Sequence, residues 1–368
     1  MTHLACLDSR LAGGNDSCLC PLLPLGGRTS KSNDMQKTLD VCSMQICANE
    51  RCYEMFTASD VIYYEPYSIF DPAFCAETSR LTSQHAALRT CLSLFPPELL
   101  DKPSPRVLNL ACGAGHWLLD TAYELKDSMV VGIDPNQQNI EYAHTQARLG
   151  CRQNISCEVM DLRRPLPLPS CSFDLIIGCF LSAWLTEREG LPFLVQCKRF
   201  LRPGGTLRLI EATAGHSSSR ACEQLSSWYE QALLQTGVRP LPASLCLDWS
   251  DLLRQAGYQH TNKQKILLDF SAESVAHRSM RTVVLAFSWL VRSFILKSGI
   301  VTEETFQQTY DLIALEMNRE DFSGSWHLLD LQGLCPTHDF CPEYRAQVIE
   351  KRSTGRRKKR SNCLPLEA

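Results

Sequence analysis

Residues Val107-Leu108-Asn109-Leu110-Ala111-Cys112-Gly113-Ala114-Gly115 read as a short apolar strand that runs into a turn of small residues. Leu118, Ala122 and Leu125 follow at helical spacing, so the turn opens a helix. Small residues let a ligand press against the backbone, and the first helical turn offers unpaired N–H groups and a positive dipole. The arrangement suits a nucleotide or an amino-acid carboxylate. Alone it is unspecific, because many dinucleotide sites share it.

The sequence around this stretch narrows the choice. Buried strands are expected at 129–133, 155–160, 173–180 and 206–211, with helices between them. Pro135 marks a helix start, Ile140, Ala143 and Ala147 mark that helix's buried face, and Gly150 marks its end. Strands alternating with helices imply a doubly wound, mostly parallel α/β sheet. Such sheets bind ligands outside the carboxyl ends of their strands. Asp134 ends the second strand, where a carboxylate can take both ribose hydroxyls, and Asp161 follows the third, where it can accept an adenine amine. A dinucleotide fingerprint wants a glycine three residues after Gly115, where this chain has Leu118. That counts against an NAD-dependent oxidoreductase.

The ordered series from Val107 to Gly115, Gly132-Ile133-Asp134, Asp161-Leu162, Leu166-Pro167, Ser172-Phe173-Asp174 and Leu201-Arg202-Pro203-Gly204-Gly205 resembles the class I methyltransferases that use S-adenosylmethionine (SAM). It covers residues 106–211. The resemblance implies a Rossmann-like, seven-stranded sheet and a SAM site. That site would be lined by Asn109, Ala111, Gly113, Gly115, Asp134, Pro135, Gln138, Asp161, Leu162 and Gly178. Asn109 stands where the family usually has an acid, and Ala111 where it usually has the first glycine. Upstream, Asp71-Pro72 and the run from Glu77 to His85 resemble the segment ahead of the core in methyltransferases of secondary metabolism. By that likeness Arg80 meets the SAM carboxylate and Gln84 lies nearby.

Further strands are expected at 265–270 and 326–331, and helices at 76–94, 191–201, 221–236, 249–256, 275–297 and 303–318, the last capped by Thr302. The domain plan is an arm at 1–55, a helical cap at 56–105, a SAM-binding domain at 106–335 with insertions at 215–247 and 271–320, and a basic tail at 346–368. The inserted helices roof the sheet, which favours an O-, N- or C-methyltransferase acting on a small or medium-sized apolar metabolite, the alternative being a non-catalytic SAM-binding regulatory protein that keeps the fold. Phe287, Trp289, Phe294 and Ile295 are either pocket lining or core. Candidate bases are Glu211, His85 and Tyr67, with Tyr63, Tyr64, His144, Glu187 and His216 behind them, and Trp184 is a candidate pocket wall. Cys179-Phe180-Leu181-Ser182 follows the fourth strand, unlike the tetrad of amino-methyltransferases that act on bases or amides.

Nineteen scattered cysteines, an odd number with no secretory leader expected, point to free thiols and a cytoplasmic chain rather than a disulfide scaffold. Neither Cys18, Cys20, Cys42, Cys47 and Cys52 nor Cys335, His338 and Cys341 has zinc-knuckle spacing, so no metal is expected. Arg292 and Lys297 interrupt the longest apolar stretch, so no membrane span is expected. Lys351, Arg352, Arg356, Arg357, Lys358, Lys359 and Arg360 hold the tail's charge. Without them the rest of the chain is distinctly acidic, which excludes a basic nucleic-acid platform for the core and leaves anionic partners to the tail.

Overall fold

The computed structural model describes residues 74–183, 185–236 and 248–337. Among these residues seven strands form one sheet: β1 Arg106–Leu110, β2 Met129–Asp134, β3 Ile155–Val159, β4 Phe173–Cys179, β5 Leu201–Ser217, β6 Gln259–Asp269 and β7 Gly324–Leu334. Their spatial order is β3-β2-β1-β4-β5-β7-β6. The β1–β2, β1–β4, β2–β3 and β4–β5 pairs are parallel, whereas β7 runs antiparallel to both β5 and β6. This is the expected doubly wound, mostly parallel sheet.

The helices are α1 Phe74–Leu88, α2 His116–Glu124, α3 Gln137–Leu149, α4 Glu187–Phe200, α5 Arg220–Thr236, α6 Trp249–Gln255, α7 His277–Leu290, α8 Arg292–Lys297 and α9 Glu303–Glu316. One face of the sheet packs against α1, α2, α3, α5, α7, α8 and α9 through residues such as Leu118, Ala143, Leu225, Met280, Ile295 and Phe306. The other packs against α4 and α6 through Phe193, Leu194, Phe200, Trp249 and Leu253. β4 is central and its first six residues are buried, which explains its unbroken apolar run. Each fully buried leucine or isoleucine there stabilises the fold by about 1.5–3 kcal/mol.

Several boundaries differ from the sequence expectation. α3 begins at Gln137, not at Pro135, because the Asn136 side chain accepts the Gln138 N–H and is the cap. α1 ends at Leu88, six residues before the apolar pattern does. The run at 275–297 is divided at Val291 into α7 and α8. β5 starts before the Pro203-Gly204-Gly205 step and extends to Ser217, so the insertion expected at 215 begins only after that strand. Its extension is held by β7, from Ala214 opposite His327 to Ser217 opposite Gly324. The Thr302 cap is as expected, with its side chain accepting the Thr305 N–H.

Asp174, from the Ser172-Phe173-Asp174 motif, sits at the amino end of β4. It accepts the Arg106 N–H at 2.9 Å and pairs with Lys102 and Arg202. That motif therefore anchors the edge opposite the ligand rim. Among the described residues, His277–Lys297 is the one helical run long and apolar enough to cross a membrane on length and composition. Here Met280, Val283, Ala286, Leu290, Val291 and Ile295 bury against the roof and the sheet.

Candidate active site

The carboxyl ends of β1 and β2 meet at one carboxylate. Asp134 is 4% exposed and accepts the Gly113 N–H on Oδ2 at 2.9 Å. Its Oδ1 accepts the Asn136 N–H at 2.9 Å and the Asn139 side-chain amide at 3.1 Å. Burial, with Glu77 facing it, raises the Asp134 carboxyl above its ordinary value, against those three hydrogen bonds, which lower it. The small-residue turn and the acid at the end of β2 are thus in direct contact.

The turn is left-handed at three of its residues. Gly113 has φ 54° and Gly115 φ 82°, and Ala111 shares the region at φ 47°. Alanine there is strained by about 1–2 kcal/mol, which is why a glycine would be natural at that position. A side chain on Gly113 would press on Leu81 of α1 at 3.2 Å, so α1 lies directly over the turn. Gly115 has a different duty from the one expected: an added Cβ would lie 2.7 Å from that of Ala143, so this glycine lets α2 approach α3. Leu118 is fully buried, and its Cδ1 would lie 3.1 Å from a Cβ on Gly132. It fills the place where a dinucleotide site needs backbone room.

Asn109 is 3% exposed, and its amide nitrogen donates to the Ile177 carbonyl at 3.4 Å. Its Oδ1 is buried and has no hydrogen-bond partner. An orphaned buried acceptor is costly, and Asn139 Oδ1, on the residue that bonds Asp134, is orphaned as well. Pro135 is buried beside Asp134, and Gln138 is half-buried in the first turn of α3. Leu162 is buried as well. Gly178 makes room for Leu181, whose Cδ1 would lie 2.7 Å from an added Cβ. Gly178 is therefore required by packing.

Asp161 is half-buried and already engaged. Arg163 donates to it from its backbone and from Nε, each at 3.0 Å, and from a terminal nitrogen at 3.0 Å, while Arg164 lies 3.7 Å away. Burial works to raise this carboxyl, but the Arg163 hydrogen bonds and the two guanidinium charges hold it below the usual range. Arg80 is braced along α1. Glu77 takes two of its N–H groups at 2.7 Å each, and Gln84 a third at 2.6 Å. Glu77 is absent from the residues that the sequence singles out, although its place three residues before Arg80 on one helix face is legible there.

The expected bases fare differently. Glu211, expected to be the best-positioned carboxylate, faces away from the roof. It is 1% exposed, lies on the α4/α6 side, and accepts the Leu181 and Ser182 N–H groups at 2.8 and 3.3 Å. Burial pushes it up to about 7. The sequence ends β5 at this residue, but the strand runs on to Ser217, and side-chain alternation turns Glu211 to the α4/α6 face. His85 is tied to Asp120 at 2.8 Å and stacks on His116, whose Nε2 lies 2.8 Å from the Thr82 hydroxyl. That cluster joins α1 to α2, and burial, helped by His85, holds His116 down to about 4. His144 bonds the Cys157 carbonyl at 3.0 Å and is structural, while His216 is exposed. Tyr63, Tyr64, Tyr67 and Trp184 lie outside the described residues, as does the Glu187 side chain.

Phe287 and Phe294 pack edge-on against Tyr229 and Trp289 packs against Tyr310, all three half-buried, whereas Ile295 is fully buried in the roof core. No cluster of metal ligands occurs among the described residues. Cys335 is buried, and its suggested companions His338 and Cys341 lie outside those residues, as do the cysteines before Cys75 and the basic tail.

Residues 107–205 match the family described as "Methyltransferase domain". Trans-aconitate 2-methyltransferase of Deinococcus radiodurans is 27% identical over 154 residues, covering 41% of this chain and 54% of that protein. N-methyltransferase sirN of Leptosphaeria maculans is 26% identical over 164 residues, covering 43% of this chain and 55% of that protein. The chain thus spans about half the length of the curated relatives it matches. Among solved structures, the YcgJ protein from Bacillus subtilis aligns at 17% identity and TM-score 0.40, over 71% of this chain and 99% of that one. β2, β3 and β4, and the contact between the turn and Asp134, lie within the matched residues. Residues 107–205 are thus similar to a methyltransferase domain, and they lie on a doubly wound, Rossmann-like sheet.

Proposed function

We propose that this chain transfers the methyl group of SAM to a small or medium-sized metabolite. The observation that carries the reading is the contact between the 111–115 turn and Asp134 at the carboxyl rim of β1 and β2. The residues fit the donor. Asp134 suits the ribose hydroxyls, and Asp161 an adenine amine flanked by Leu162. Asn109, with its orphaned oxygen, and Arg80 suit the amino and carboxylate groups of the methionine part. Ala111, Gly113, Gly115, Pro135, Gln138 and Gly178 border the same rim.

When bound, SAM supplies an activated methyl group on a sulfonium. The chain's own residues then have two duties, to align the acceptor in line with that group and to keep water out. α1 lies over the turn through Leu81, and α5, α7, α8 and α9 roof the same face of the sheet. A neutral acceptor loses its proton as the new bond forms. Among the described candidate bases, Glu211 is on the far face and His85 is bound to Asp120, which favours an acceptor that ionises readily. The matches to a trans-aconitate methyltransferase and to an N-methyltransferase support a small acceptor.

Calorimetry on the full chain with SAM, S-adenosylhomocysteine and NAD tests the donor. SAM and S-adenosylhomocysteine should bind and NAD should not. Transfer of labelled methyl from SAM into a small-molecule extract tests turnover. Binding without transfer would leave a SAM-binding protein, and binding of NAD alone would sink the reading.

A further inference from the structure

Phe180 and Trp326 stack with their ring centroids 5.3 Å apart and their planes 20° from parallel. Both are half-buried and lie on the roofed face of the sheet. Phe180 is the first residue past β4, which pairs with β1, so the ring stands beside the end of the strand that feeds the 111–115 turn. Trp326 comes from β7, where it pairs with Gly215 in the extension of β5 beyond Glu211.

The backbone at Phe180 is held in an unfavourable conformation, a left-handed φ of 57° at a bulky residue. Its own N–H donates to the Ile210 carbonyl at 2.7 Å, and the Ala183 N–H returns to the Phe180 carbonyl at 3.1 Å. The next two N–H groups, of Leu181 and Ser182, donate to Glu211. Leu181 then fills the space over Gly178, and the Ser182 hydroxyl accepts the Trp249 indole N–H at 2.9 Å. The chain thus crosses to the α4/α6 face immediately after Phe180, and the ring stays on the acceptor side. Strain that the surroundings hold in place gathers at functional sites. Here it holds a large ring half-exposed at the ligand rim, where the core would otherwise bury it.

Resting on the methyl-transfer reading above, we propose that the Phe180–Trp326 pair is the wall against which a planar, unsaturated apolar acceptor stacks, and that Glu211 is a positioning residue that sets the Phe180 ring from the opposite face of the sheet. Offset or edge-on contact with two aromatic faces selects for flat rings over saturated ones of equal size. Glu211 does not touch the acceptor. It acts through the two N–H groups that turn the chain.

The full chain saturated with S-adenosylhomocysteine is titrated with 2-naphthol, and separately with its saturated analogue 2-decalol, by calorimetry. The wild type should bind 2-naphthol the more tightly. Trp326→Leu should weaken that binding about tenfold, and Trp326→Phe should recover most of it. Phe180→Gly accepts the left-handed φ without strain, so it should fold and still lose about tenfold. Glu211→Gln should keep its affinity for S-adenosylhomocysteine and lose about threefold for 2-naphthol. A merely structural Glu211 would lower the melting temperature and leave 2-naphthol affinity unmoved. Equal affinity for the two probes, no 2-naphthol binding by the wild type, or wild-type affinity in Trp326→Leu and Phe180→Gly would overturn the acceptor wall. Failure to bind S-adenosylhomocysteine would instead sink the methyl-transfer reading, and the wall with it.

Discussion

At the β1–β3 end of the sheet, the rim is built from residues close in sequence, whereas at the β5–β7 end it is built from residues far apart. Gly113 reaches Asp134 across 21 positions. Arg208 on β5 reaches Asp330 on β7 across 122, with two guanidinium nitrogens on the carboxylate and a third on the Ser93 carbonyl at 2.8 Å. Both halves spend a buried carboxylate on holding the chain in shape. In the first, the acid stands at the ligand rim and binds a turn. In the second, Asp330 binds a guanidinium within the sheet, and Glu211 binds a turn that presents an aromatic ring. The first half is a local device that a family can keep through a short motif. The second depends on strands brought together only when the whole sheet forms.

The largest effect should come from breaking the long-range half. Arg208 is 2% exposed and Asp330 5%. Arg208→Met leaves a buried carboxylate without its cation and should cost about 3–5 kcal/mol by chemical denaturation. Arg208→Met with Asp330→Leu should recover much of that loss. If the single variant were as stable as the wild type, the ion pair would add nothing to the β5–β7 ladder.

A pH series sharpens the contrast from the Glu211 side. Burial lifts this carboxyl from 4.5 to about 7. The stability this confers is complete below the unfolded value and is lost as pH rises through the folded one, on the order of 3 kcal/mol in all. His116, held near 4, works in the opposite sense over the acid part of that range, so the comparison is with a variant. Glu211→Gln should flatten the decline between about pH 5 and about pH 8. An identical slope in both proteins would show that Glu211 titrates normally.

The local half is broken by Asp134→Ala, which removes an acceptor for three hydrogen bonds. Stability should fall by about 2 kcal/mol, and the SAM dissociation constant should rise about tenfold or more. Unchanged SAM affinity would separate the turn from the donor site. The smallest effect runs the other way. Ala111→Gly relieves a left-handed alanine and should stabilise the chain by about 0.5–1 kcal/mol, with SAM affinity retained.

Much of the parallel half is legible in the amino-acid sequence. The apolar run of β4 and the spacing of Ile140, Ala143 and Ala147 come from strand and helix periods, which act within a few residues. Asp134 is legible because a strand end can be counted from its first residue. Face and neighbour are harder to read. The sequence ends β5 at Glu211, whereas the strand runs on to Ser217, and the face its side chain takes is not legible there. Gly115 and Gly178 look like ligand contacts in a linear motif, yet Ala143 and Leu181 claim the space beside them. The end of β5 escapes a linear reading because its last residues are held by β7, whose pairing partners lie more than a hundred positions away.

By itself the sequence determined the alternation of strands and helices, the turn at 111–115, and the acids at the ends of the second and third strands. Those features follow from backbone geometry and local hydrogen bonding. Only the tertiary structure decided which way Glu211 faces, that Phe180 meets Trp326, and that Arg208 is neutralised by Asp330. Contacts of that kind depend on which distant surfaces are buried together, and burial is a property of the whole chain.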